Sequence, residues 1–244
     1  MIIKVCGMRD DQNIRDVAQL DIDMIGFNFW PKSKRYVSMI KAQAAILPDF
    51  SRERLDNVAG RKDNRQCSMP KNIRRVGVFV DEMPQTIVTH VYNFSLDYVQ
   101  LHGSELPVAI ENLRSTLVPD IAPNIKVIKA FGINSAKDFE QTKDYEGVAD
   151  LFLFDYKCPG KGGSGQHFDW SLLDAYKGNT PFLLSGGIGP DDVDELMSIS
   201  NPMFAGVDVN SRFETAPAMK DVGSLRRFVD ALRKKSNQSN AKTK

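Results

Sequence analysis

The sequence predicts a single α/β domain closed as a (β/α)8 TIM barrel, on three observations. Its 244 residues suit one such barrel, which commonly takes ~200–250 residues. Eight short apolar runs recur, and from the third onward most are separated by the ~20–30 residues that a strand and its helix need. Titratable residues and glycines gather just after several of those runs, where a barrel of this kind keeps its chemistry.

The runs cover residues 2–5, 24–29, 76–80, 98–101, 127–131, 151–154, 182–184 and 204–209. Helical patterns lie between them. Residues 10–20 follow an acidic start and put Ile14, Val17 and Ala18 on one face. Residues 38–47 begin at a capping serine, Ser38, and carry Ile40, Ala44 and Leu47. Pro84 suits the first turn of a helix through 91. Pro190, Asp191 and Asp192 open another before Val193 and Leu196. Leu225, Phe228, Val229 and Leu232 space a last helix over 224–232. Strand–helix alternation implies parallel strands with right-handed crossovers, and eight of them favour closure. A doubly wound dinucleotide fold would want GxGxxG after its first strand, where this chain has Cys6-Gly7-Met8-Arg9-Asp10. The barrel is expected over 1–233, with a polar insertion at about 48–75 on the face away from the chemistry. Residues 234–244 read as a flexible polar tail.

Composition narrows the partners. A net charge of +1 argues against nucleic acid and against an anionic membrane surface, both of which select a basic excess. An anionic small molecule needs only a few local cations. Three cysteines, Cys6, Cys67 and Cys158, form neither a disulfide framework nor a zinc motif. The amino-terminal stretch lacks a signal-peptide pattern, and no window is apolar enough to span a bilayer. A cytoplasmic protein is the expectation, with a phosphorylated small molecule as ligand and with the choice between monomer and homodimer left open.

The strand ends supply the candidates. Cys6 ends the first strand; it is either a working thiol or a buried apolar cysteine, and position alone does not choose. A working base needs a thiolate, which a cation such as Lys4 or Arg35 would favour. Asp155 follows an apolar run, where poor solvation favours the protonated carboxyl and suits a general acid; a helix cap or a salt bridge to Lys157 is the plainer reading. His102 ends the fourth strand, and Asp208 lies in the eighth. Glycines are the most specific signal. Gly162-Gly163-Ser164-Gly165 follows strand six, Ser185-Gly186-Gly187 follows strand seven, and Asn210-Ser211 follows strand eight. Backbone N–H groups there can approach an anion closely, and the loops after strands seven and eight are the usual phosphate site of such barrels.

These motifs resemble those of the phosphoribosylanthranilate isomerase family of tryptophan biosynthesis. The likeness runs through 4–8, 26–37, 76–80, 99–103, 155–170, 184–187 and 206–211, then Glu214, Lys220 and Asp221. It implies an Amadori rearrangement in a (β/α)8 barrel without metal or organic cofactor. By the resemblance, Cys6 is the general base at C2 of the ribose and Asp155 the general acid at the ring oxygen. Arg35 faces the anthranilate carboxylate, His102 lines the substrate pocket and Asp208 meets the sugar hydroxyls. Gly165, Gly186, Gly187, Asn210 and Ser211 cradle the phosphate. The histidine-pathway Amadori isomerase would carry an aspartate base where Cys6 stands. A catalytically silent barrel would have no reason to keep both Cys6 and Asp155.

Overall fold

The computed structural model of the chain describes residues 1–38, 72–156 and 169–242. The eight apolar runs become β1 (Ile2–Val5), β2 (Met24–Asn28), β3 (Arg74–Phe79), β4 (Tyr98–Leu101), β5 (Lys126–Ile133), β6 (Leu151–Tyr156), β7 (Phe182–Leu184) and β8 (Phe204–Val209). They close in chain order into a parallel barrel, with β8 back against β1. The register there sets Lys4 opposite Asp208 and Val5 opposite Val209.

Strand alternation splits the core in two. Met24, Val76, Ile128, Ala130, Leu151, Leu153 and Leu183 fill the barrel interior. The intervening residues, Ile3, Val5, Ile25, Val127, Phe152 and Phe154 among them, face the helical layer. That layer contains α1 (Asp11–Val17), α2 (Pro84–Phe94), α3 (Pro107–Leu117), α4 (Val193–Ser198) and α5 (Val222–Lys242). Local signals start these helices. Asp10 accepts from the Asn13 N–H at 2.9 Å ahead of α1, and prolines stand in the first turn of α2 and α3. After β5 and β6 the crossovers carry 3-10 helices, Ala136–Tyr145 and Trp170–Ala175. The first begins with a capping box between Ser135 and Asp138.

Several boundaries differ from the sequence reading. β3 begins at Arg74, inside the expected insertion, because its charged residues pair through the backbone: Arg74 N–H donates to Asp23 O at 2.8 Å. The expected helix at 38–47 lies outside the described residues except for Ser38, as does the insertion up to residue 71. The expected tail is helical through Lys242, since α5 continues ten residues beyond Leu232. No glycine or proline interrupts that stretch, so intrinsic propensity suffices to continue it. Arg233 fixes the helix at this point by donating to Met1 O at 2.6 Å and Asp21 O at 3.0 Å. A small hairpin after β8, β9 (Glu214–Ala216) with β10 (Met219–Lys220), was not read from the sequence. Among the described residues no helix is long and apolar enough to cross a membrane.

Candidate active site

One wall of the barrel mouth is built by β1, β2 and β8. Lys4 and Cys6 lie two residues apart on β1 and its end, so their side chains share the inward face. Both are buried. Gly26 on the neighbouring strand makes room for the thiol: a Cβ there would stand 2.8 Å from the Cys6 sulfur. The Lys4 ammonium reaches the Asp208 Oδ1 at 2.9 Å, on the same inward face as the Cys6 sulfur. Its approach to Asp208 is close but poorly aligned, leaving both atoms outside good hydrogen-bond geometry.

Burial dominates the protonation of this wall. It pushes the Cys6 thiol up, Asp208 adds to that, and Lys4 and Lys220 pull the other way without prevailing. Burial also pushes the Asp208 carboxyl up against the pull of Lys4. Burial alone would lower the Lys4 ammonium, but Asp208 and Cys6 hold it above its ordinary value. The free site therefore keeps its ammonium and its thiol proton.

A second cationic group lies at the rim. Arg35 donates to Glu214 in a fork, from Nε at 2.8 Å and from Nη2 at 2.5 Å. The buried Lys220 donates to the same carboxylate at 2.6 Å and to the Asn210 Oδ1 at 2.7 Å. Asn13 of α1 holds the Lys220 backbone from both sides, at 2.8 and 2.9 Å. Burial works against the Glu214 carboxylate, but Arg35 and Lys220 outweigh it and hold the carboxyl low. Gly7 lies beneath this cluster at φ +77°, where a Cβ would strike Arg35 and Asn210.

The opposite wall comes from β4 and β6, and β6 is three strands from β1 round the ring. Asp155 stands within β6, one residue before its end, and its side chain is 31% exposed. The expected poorly solvated carboxyl is thus corrected: the apolar run packs below it, and Asp155 itself opens to the mouth. His102 follows β4 and places Nε2 3.5 Å from the Asp155 Oδ2. Beneath it, buried Gln100 sets its amide Nε2 3.5 Å from the His102 Nδ1. The Gln100 Oε1 has no hydrogen-bond partner among the described residues. Behind this wall, buried Lys129 ties the loop after His102 by donating to Gly103 O at 2.7 Å and Glu105 Oε2 at 3.0 Å.

Gly186 and Gly187 follow β7 at φ 92° and 73°, a left-handed pair that L side chains disfavour. Asn210 and Ser211 follow β8 and lead into a 3-10 turn, Ser211–Phe213. Lys220 donates to the Asn210 Oδ1, which leaves this residue's backbone and side-chain N–H groups to meet an anion. Gly165, the rest of the loop after β6, Lys157, Cys67 and Cys158 lie outside the described residues.

The structure thus brings Cys6, Asp208 and Arg35 to one side of the mouth and His102 and Asp155 to the other. Arg35 and Asp208, expected to meet the substrate, also pair with Glu214 and Lys4. Gln100 and the clamp of Asn13 on Lys220 had no assigned role in the sequence. A lysine in an apolar strand two residues from a cysteine was the available signal for Lys4. No local signal links Asn13 to a residue 207 positions away.

A closed parallel barrel with titratable side chains gathered at the mouth of its strands has the architecture of a (β/α)8 enzyme. Residues 56–231 match the family described as N-(5'phosphoribosyl)anthranilate (PRA) isomerase. The chain is 44% identical over 232 residues to the N-(5'-phosphoribosyl)anthranilate isomerase of Parabacteroides distasonis, covering 95% of this chain and 93% of that one. It is similar to the crystal structure of phosphoribosyl anthranilate isomerase from Thermotoga maritima, at 32% identity and a TM-score of 0.72, with 96% and 100% of the two chains covered. A second isomerase crystal structure, in complex with reduced 1-(o-carboxyphenylamino)-1-deoxyribulose 5-phosphate, aligns at 28% identity and a TM-score of 0.70 over 96% of this chain and all of that one. The chain belongs to the phosphoribosylanthranilate isomerase family.

Proposed function

We propose that the chain converts N-(5-phosphoribosyl)anthranilate to 1-(2-carboxyphenylamino)-1-deoxyribulose 5-phosphate, a step of tryptophan biosynthesis. The observation that carries this is the pairing of Cys6 on one wall of the mouth with Asp155 on the other, in a chain of this family. Asp155 donates a proton to the ring oxygen as the C1–O bond breaks, and the nitrogen lone pair forms a C1=N iminium. Cys6, as thiolate, removes the C2 proton; that electron pair forms the C1=C2 bond, and nitrogen recovers its lone pair. The enaminol then loses its hydroxyl proton and gains one at C1, giving the ketone. An acid and a base placed this way each contribute ~10²–10⁴-fold. No step calls for a metal or an organic cofactor.

The remaining roles follow from placement. The left-handed turn at Gly186 and Gly187, with the backbone of Asn210 and Ser211, receives the phosphate; the family resemblance adds Gly165, which lies outside the described residues. Arg35 takes the anthranilate carboxylate with the edge of its guanidinium not used by Glu214. Asp208 meets the sugar hydroxyls, and His102 lines the pocket beside the acid. The fluorescence of phosphoribosylanthranilate gives the direct test. Its decay should accelerate on adding the protein, and decay at the uncatalysed rate overturns the reading.

A further inference from the structure

The buried wall contains more than a base. Lys4, Cys6 and Asp208 form one cluster inside the barrel, and the first two are on the same strand face. Lys4 is fully buried and Asp208 nearly so. A single ammonium thus stands between two groups: it lies 2.9 Å from the Asp208 carboxylate, and its side chain shares the inward face with that of Cys6. Among the described residues it is in hydrogen-bond geometry with neither, which leaves it able to turn to either. With Lys4 and Asp208 both charged and Cys6 a thiol, the cluster is neutral. Removing the thiol proton leaves two anions beside one cation in a dry site, which is costly.

We propose that Lys4 is a positioning residue for the catalytic sulfur: Cys6 and Asp208 compete for its ammonium, and the thiolate forms when that ammonium turns from the carboxylate to the sulfur. The competition gives Asp208 a function besides its contact with sugar hydroxyls. When substrate hydroxyls donate to the carboxylate, Asp208 needs Lys4 less, and the ammonium is released to the sulfur as the C2 proton comes within reach. The thiol proton leaves to solvent; no oxidant or further reactant is involved. The other charged groups facing the sulfur are Lys220 from β10 and Arg35 from the loop after β2, with Glu214 behind both. Asp155 and His102 face Asp208 from the far wall. Of these cations, Lys4 is the one on the sulfur's own strand face.

This inference rests on the reading of Cys6 as the base, so its test separates the two. Cys6 is titrated by the ultraviolet absorbance of its thiolate, with Cys67 and Cys158 replaced by serine in the full chain. The pH profile of kcat/KM is recorded in parallel. Asp208→Asn frees the ammonium and should bring the thiol below the ordinary ~8.5, a downward shift of about one unit or more. Lys4→Met should move it upward by a similar amount. Opposite shifts exclude simple loosening, which would expose the sulfur and lower its pKa in both variants. Should Lys4→Met alone fail to fold, the double variant Lys4→Met/Asp208→Asn carries no unpaired buried charge. Its thiol should titrate about one unit or more above that of Asp208→Asn. Equal values in these two variants, or shifts of the same sign in the two single variants, overturn the proposal. Opposite titration shifts that the acidic limb of kcat/KM does not follow uphold the shared ammonium and instead remove Cys6 as the base.

Discussion

In the proposed mechanism the two walls of the barrel mouth each place a proton-transfer group, and they do so in different ways. On the β1–β8 wall the thiol is buried, and cations and carboxylates in fixed pairs surround it. On the β4–β6 wall the carboxyl is 31% exposed and meets His102 at only 3.5 Å. The contrast follows from what each group must become. A thiol that must ionise in a site shielded from water needs a positioned counter-charge. A carboxyl that must carry a proton at the moment of ring opening can exchange it with solvent between turnovers. Tight construction therefore goes with the proposed base, and looser construction with the proposed acid.

The largest expected effects come from removing the two groups themselves. Cys6→Ser and Asp155→Asn should each lower kcat by ~10²–10⁴-fold with little change in KM, because both act in the transition state. Steady-state kinetics of the fluorescence decay checks this, and a normal kcat in either variant removes that residue from the scheme. Gly26→Ala comes next. Its methyl would meet the Cys6 sulfur at 2.8 Å and displace it. We expect kcat to fall by up to ~10²-fold, as misplacements of about an ångström do. An unaltered kcat would mean that the base wall is less rigid than its packing implies.

Glu214→Gln attacks the rim of the same wall. It leaves Lys220 buried without its anion and frees the Arg35 fork. Breaking a buried pair from one side costs ~3–5 kcal/mol, and the partial exposure of Arg35 places this case at the lower end. The sign with pH is definite. The folded carboxyl lies below its unfolded value of ~4.3, so its contribution is complete above that value and disappears as pH falls through the folded one. Thermal melts of the two proteins should therefore differ most near neutrality and converge in acid. A gap that widens in acid would reverse the assignment.

How much of this was legible in the sequence depends on whether a feature is local. The strands were legible because each apolar run is short and bounded, and the barrel followed from their number and spacing. Cys6 and Asp155 were singled out because strand ends are where such barrels work, and both stand at the barrel mouth. The setting of Asp155 was misjudged, because an apolar run in sequence says which residues pack below a strand end and nothing of its opening to the mouth. Arg35 and Asp208 were identified without their partners, Glu214 and Lys4, since pairs across 179 and 204 positions leave no local trace. The two 3-10 crossovers and the hairpin after β8 escaped for a related reason: short turns are selected by the space the barrel leaves, which periodicity does not encode.

The smallest effect expected is the one that most sharpens the contrast between the walls. Beneath His102 the Gln100 amide meets the ring Nδ1 at a long 3.5 Å. Its Oε1 is buried without a partner, so turning the amide over would aim an acceptor at the His102 Nδ1 instead of a donor. Either way the amide selects a histidine tautomer, and so decides whether Nε2 offers Asp155 a donor or an acceptor. Gln100→Leu removes that choice while keeping the volume, and it relieves a buried unpaired oxygen. We expect kcat to fall by less than about tenfold, the modest value of a single long hydrogen bond, with stability unchanged or raised. A loss as large as that of Asp155→Asn would show that the acid is held as firmly as the base, with Gln100 and His102 doing for Asp155 what Lys4 does for Cys6.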